Sequence, residues 1–160
     1  MFPPAVASKL DGFMEQALRD YIRDIHEAHP SSIGDMLNFS VVSCNEQTDD
    51  YVLECETAPW MCNHYGTLHG GICATILDQA MGMVCVCLKR DSGNCTTVQL
   101  EADYHRPVIT GSPLLIRVHV VSVTRSLINM TAELVQNSKP DKISVSGSAI
   151  FFCKTDEFTE

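Results

Sequence analysis

An α+β fold is predicted, with an antiparallel six-stranded sheet wrapped around a long central helix and one further helix at the N-terminal end. Three features predict it. Residues 69–88, apart from Thr75, Asp78 and Gln79, are almost wholly apolar or small, which marks a helix inside a molecule. Residues 8–28 carry an apolar stripe on one side only, and the remaining chain breaks into six strand-like runs separated by turn residues.

The first helix is read from Leu10, Phe13, Met14, Ala17, Leu18, Tyr21, Ile22 and Ile25, which recur in steps of three and four. Ser8 and Asp11 have the spacing of a capping box, and His29-Pro30 ends the element. Runs at 36–44 and 51–57 form a hairpin across the polar stretch 45–50, and a proline-bearing loop over 58–67 leads to the central helix. After a turn at 91–93, strands are expected at 95–106, 114–124, 127–136 and 142–154, as an antiparallel meander. Within the first of these, Thr96, Val98, Leu100, Ala102 and Tyr104 alternate with Thr97, Gln99, Glu101 and Asp103, so the two sets are expected on opposite faces.

Composition narrows the function. A chain of 160 residues fits a single domain, 1–160, with a core of its own. Its net charge of −9 argues against nucleic-acid binding, which needs a basic footprint. The eight cysteines include no CxxC pair and three of them, Cys73, Cys85 and Cys87, lie in the apolar segment, so neither a disulfide framework nor a metal site is expected. Cys62, His64 and His69 match no zinc spacing. The start has no charged flank followed by an apolar core, and the run 80–88 is short for a bilayer. Cytoplasmic localisation without membrane insertion is the expectation.

The chemistry is concentrated in Asn63-His64-Tyr65-Gly66-Thr67-Leu68-His69-Gly70-Gly71 and the helix behind it. Glycines let the backbone turn and approach a ligand, and a helix start offers unpaired N–H groups to developing negative charge. Asp78 is anomalous among Ile76, Leu77, Ala80 and Met81. A carboxylate there is costly unless bonded, so it is either a structural cap or ion-pair partner, or a general base or nucleophile.

The run Asn63…Gly66-Thr67-Leu68-His69-Gly70-Gly71…Ala74-Thr75…Asp78 resembles the signature of PaaI-like hotdog thioesterases, the phenylacetate-pathway branch of the hydroxybenzoyl-CoA thioesterase superfamily. The likeness extends over residues 36–153, and Tyr104-His105-Arg106-Pro107 sits at a comparable strand end. The resemblance implies the hotdog fold and hydrolysis of an acyl-CoA with no metal or organic cofactor. It makes Asp78 the catalytic carboxylate, Gly70 the backbone donor to the thioester carbonyl, and Asn63 a holder of substrate or water. It makes His69 a positioning residue and Thr97 a hydroxyl that orients water. Gly71 and the cations near predicted element ends, Lys89, Arg90, Arg106, Arg125 and Lys139, are candidate contacts for CoA, and Trp60, Met61, Met81 and Met83 for the acyl group.

Geometry adds a partner. Gly70 and Asp78 are eight residues apart, roughly 12 Å along a helix, so one chain cannot place both around one carbonyl. Two antiparallel copies can, because Gly71, Ala74, Thr75, Asp78 and Gly82 form a stripe of small residues. A homodimer with shared sites follows, and the family's habit makes it a homotetramer. Two other readings remain: a non-catalytic acyl-CoA-binding module, and a hydroxyacyl-thioester dehydratase on the same fold.

Overall fold

The computed structural model describes residues 12–89 and 94–154. Helix α1 spans Phe13–Ala28, one turn of helix α2 spans Ile33–Met36, and strands β1 (Phe39–Asn45) and β2 (Asp50–Cys55) form the hairpin. A 3-10 turn at Pro59–Met61 leads to helix α3, Gly70–Leu88. Strands β3 (Cys95–Tyr104), β4 (Leu114–Val123), β5 (Leu127–Gln136) and β6 (Ile143–Cys153) follow.

Helix α1 begins later than its apolar stripe suggests. Gly12 is its N-cap, with φ of 85° in the region that favours glycine. Glu46, on the β1–β2 turn, accepts the Met14 N–H at 2.9 Å, so the first turn is capped from across the molecule. The expected capping box at Ser8 and Asp11, and Leu10, lie outside the described residues. Met14, Ala17, Leu18 and Ile25 are buried, and α1 packs against β1 and α3.

Helix α2 replaces the expected start of a strand at Met36. Ser32 accepts the Asp35 N–H at 3.3 Å, and His26 bonds Asp35 at 2.6 Å, so local capping outcompetes extension there. Strand β1 starts only at Phe39, after Asn38 with φ of 46°.

The six strands form one antiparallel sheet in the order β1-β2-β4-β5-β6-β3. This corrects the simple meander. Strands β4, β5 and β6 are consecutive neighbours, but β3 pairs with β6 at the far edge. The chain crosses the sheet through α3 before entering β3, so β3 arrives on the side opposite the hairpin.

Helix α3 is the core. Ile76, Leu77, Ala80, Met81, Val84 and Cys85 are fully buried, and α3 packs against β3, β4, β5, β6 and α1. At 19 residues and mean hydropathy 1.7 the helix is long and apolar enough to cross a bilayer, yet the sheet buries half of it. Gly147 permits this approach: a Cβ there would meet the Glu101 carbonyl oxygen at 2.7 Å and Leu77 Cδ1 at 3.0 Å. One face of α3 stays partly open. Gly71 is exposed, and Ala74, Thr75, Asp78 and Gly82 are half-buried.

Candidate active site

Asp78 sits midway along α3, where the helix leaves the core and faces the open stripe. Its Oδ1 accepts the Thr97 hydroxyl at 2.8 Å. No other hydrogen bond to the carboxylate is formed among the described residues, and no cation pairs with it there. Among the described residues, then, Asp78 has a hydroxyl partner and not an ion-pair partner. One oxygen is fixed by a neutral hydroxyl, and the other keeps its lone pairs.

Thr97 reaches Asp78 because β3 is not regular. Its pairing with β6 slips between Thr97 and Gln99, leaving Val98 as an extra, bulged residue. Cys95, Thr97, Leu100 and Ala102 are consequently the half-buried positions, whereas Thr96 and Val98 are exposed. The strict alternation expected for this strand places Thr97 on the opposite face from Leu100. The bulge brings the two to the same side.

The second cluster lies at the start of α3. His69 is the N-cap, and its Nδ1 accepts the Gly71 N–H at 2.9 Å. With Nδ1 accepting, the ring proton belongs on Nε2. Gly71 thus spends its N–H on the cap, whereas the Gly70 N–H has no acceptor among the described residues. Tyr104, at the end of β3, donates its hydroxyl to the Gly70 carbonyl at 2.7 Å. Burial is the main reason its phenol is raised, which keeps that donor protonated. A Cβ on Gly70 would sit 3.4 Å from the Tyr104 ring, in ordinary contact.

Asn63 organises the approach loop. Its Oδ1 accepts the Tyr65 and Thr67 N–H groups at 2.9 and 3.2 Å, and its Nδ2 donates to Thr67 Oγ1 at 2.9 Å. Its polar atoms hold the 63–67 turn, and Gly66, with φ of 78°, completes it. Beside Gly70 opens a cleft of about 290 Å³, walled by Leu68, Cys73, Tyr104, His105 and Arg106. Arg106 donates to the Ile143 carbonyl at 2.6 Å, which fixes it at the cleft mouth.

Other candidates fall elsewhere. Lys89 donates to the Thr124 and Arg125 carbonyls at 2.9 and 3.2 Å, pinning the β4–β5 turn at the far end of α3. Arg90 lies outside the described residues. Met61, Met81 and Met83 are core residues at most 1% exposed, and Trp60 is 46% exposed, so these four do not line one pocket. Cys62, His64 and His69 do not converge either. The Cys62 thiol faces Thr110 Oγ1 at 3.7 Å, and His64 packs on Tyr65 with ring centroids 3.8 Å apart. One chain therefore assembles Asp78 with Thr97, and Gly70 with His69, Tyr104 and Arg106, as two separate clusters. Sequence reading missed two roles: Tyr104 as the anchor of the Gly70 peptide, and His69 as a helix cap. Neither had a local signal, since Tyr104 is 34 positions from Gly70 and histidine is not a usual cap.

Known proteins resemble this arrangement. Residues 65–141 match the profile of the Thioesterase superfamily. Acyl-coenzyme A thioesterase 13 from Homo sapiens is 29% identical over 85 residues, 53% of this chain and 59% of its own length. This chain thus spans under two thirds of that relative. The Escherichia coli PaaI protein of the phenylacetic acid degradation operon superposes with a TM-score of 0.72 at 16% identity, over 91% of this chain and 96% of its own. A Streptococcus mutans UA159 protein bound to acetyl CoA gives 0.66 at 22% identity, over 81% and 98%. The two superpositions establish the fold, and the profile match covers α3 and β3, which carry Gly70, Asp78, Thr97 and Tyr104. The chain has a hotdog fold, and over residues 65–141 it is similar to the Thioesterase superfamily.

Proposed function

We propose that this chain hydrolyses acyl-CoA thioesters, with an aryl or a medium- to long-chain acyl group, to the free acid and CoA at sites shared by two copies. The observation that carries this reading is Asp78: a carboxylate on an apolar helix, half-buried, bonded once to Thr97. Keeping a charge there costs free energy and serves no packing need. It suits a general base or nucleophile whose free oxygen meets water or a carbonyl.

In the shared site the thioester carbonyl accepts the free Gly70 N–H of one copy, at a helix start where developing negative charge is favoured. Asp78 of the other copy either takes the proton of a water oriented with Thr97 as that water attacks the carbonyl carbon, or attacks the carbon directly to form an acyl anhydride that water then hydrolyses to the acid. The tetrahedral intermediate collapses, the C–S bond breaks and CoA leaves as the thiolate. His69 and Asn63 hold the helix start and its loop in place. Support for the second copy comes from the half-open stripe on α3 and the unpaired edge of β3, where Val98 is 57% exposed. A homodimer is the minimum unit and a dimer of dimers the full one. Support for CoA comes from the acetyl CoA bound to the Streptococcus mutans neighbour and from Arg106 in the wall of the cleft beside Gly70. We place the protein in the cytoplasm, acting on small acyl-CoA molecules rather than nucleic acid or a lipid bilayer.

The test combines two inactive chains. Asp78→Asn should lower turnover by at least about a hundredfold while acyl-CoA still binds. Gly70→Pro removes the N–H yet suits the first helical position, because His69 before it is already extended, with ψ of 135°. Free CoA is read with a thiol reagent. Mixing Asp78→Ala chains with Gly70→Pro chains should restore activity through one intact shared site per mixed dimer; a mixture as inactive as its parts would refute the shared site.

A further inference from the structure

Three thiols from three elements converge at the end of the molecule away from Gly70. Cys85 lies on the buried side of α3, Cys95 opens β3 and Cys153 closes β6. The Cys153 sulfur is 3.4 Å from that of Cys85 and 3.0 Å from that of Cys95, and all three sulfurs lie within 4.8 Å of one another. Backbone pairing explains the tightness. Cys95 and Cys153 are opposite each other in the ladder, but Cys153 donates its N–H away from β3, to Ser126, while Lys154 donates to Asn94. The cysteine pair therefore occupies a non-hydrogen-bonded position, where facing side chains stand closest.

Among the described residues no histidine or carboxylate completes a fourth position. Structural zinc is four-coordinate, whereas the described cluster presents three sulfurs. Three sulfurs suit a soft monovalent d10 cation, for which thiolates are the preferred ligands. A sulfur–metal bond of about 2.3 Å puts the corners of a trigonal set about 4 Å apart, so shifts of about an ångström would seat an ion here. We propose that Cys85, Cys95 and Cys153 form a trigonal thiolate site for a soft monovalent cation of the copper(I) class.

Burial differs among the three thiols. Cys85 and Cys153 are fully buried, and Cys95 is the half-buried member through which an ion enters. Burial first, then its bond to Cys153, pushes the Cys95 thiol up to about 11, with the Lys89 ammonium opposing; the Cys85 thiol is raised for the same main reason. Unliganded, the raised Cys85 and Cys95 thiols favour the protonated form, which is the less reactive one. On binding, each S–H gives its proton to solvent and each sulfur donates a lone pair to the cation, so affinity rises with pH. Lys89 offsets part of the negative charge of the filled site.

The experiment uses the fully reduced protein under anaerobic conditions. Copper(I), delivered as its acetonitrile complex, competes against a copper(I) chelator. Retention is read by native mass spectrometry, and coordination by X-ray absorption. One ion per chain bound to three sulfurs, with one proton released per thiol, is the expected result. Cys95→Ser should weaken retention by more than the roughly tenfold typical of a lost outer-shell partner. Cys62→Ser, at a half-buried thiol elsewhere, should leave it unchanged. Because Cys95 is only half-buried at a strand end, its replacement tests the site even where Cys85→Ser or Cys153→Ser fails to fold. Failure of the wild type to hold copper(I) against the chelator, or equal retention by Cys95→Ser, would overturn the proposal.

Discussion

Thr97 decides how Asp78 behaves. Its hydroxyl donates to one carboxylate oxygen at 2.8 Å and thereby fixes the orientation of the other. A hydrogen bond to a charged group contributes about 1.5–3 kcal/mol. Thr97→Val should therefore lower kcat roughly ten- to a hundredfold, whereas Thr97→Ser should stay close to the parent. Steady-state turnover separates the two, and a serine variant as slow as the valine one would remove Thr97 from the mechanism. Asp78 itself was legible in the sequence because one acid among Ile76, Leu77, Ala80 and Met81 has no packing rationale. Thr97 was legible only through family likeness, since its contact depends on the extra residue at Val98.

Among the elements, α2 was hidden from periodicity because it is one turn long and held by side chains. The His26 bond first, and then the Ser31 N–H, hold the Asp35 carboxyl below its usual range. A depressed acid contributes stability above its unfolded-state value and loses it as pH falls through the folded one. The stability gap between the parent and Asp35→Asn should be full at neutral pH and close below about pH 4; melting temperatures across that range would measure it, and a pH-independent gap would dismiss the linkage. The longer elements were legible. Strand β5 has the limits expected for it, and α3 starts within a residue of its forecast, since long periodic or wholly apolar segments are set by their own sequence. The position of β3 was not, because strand order depends on where α3 crosses the sheet.

At the scale of the whole molecule, the shared site proposed above calls for a second copy on the open stripe of α3. Ala74 is half-buried on that stripe. Ala74→Arg should leave each chain folded, by circular dichroism, while shifting sedimentation towards the monomer and abolishing turnover. Full activity in a monomeric variant would contradict the proposed assembly.

The surplus residue at Val98 carries an evolutionary corollary. Losing one residue from a strand ordinarily inverts every side chain beyond the cut. Here Thr97 and Leu100 already face the same way with two residues between them, so excision of Val98 is a phase-preserving edit. The shortened strand would read as a plain two-residue alternation with its hydroxyl still aimed at the acid. Length variation at this point can therefore reshape the rim of the sheet while leaving its chemistry in frame.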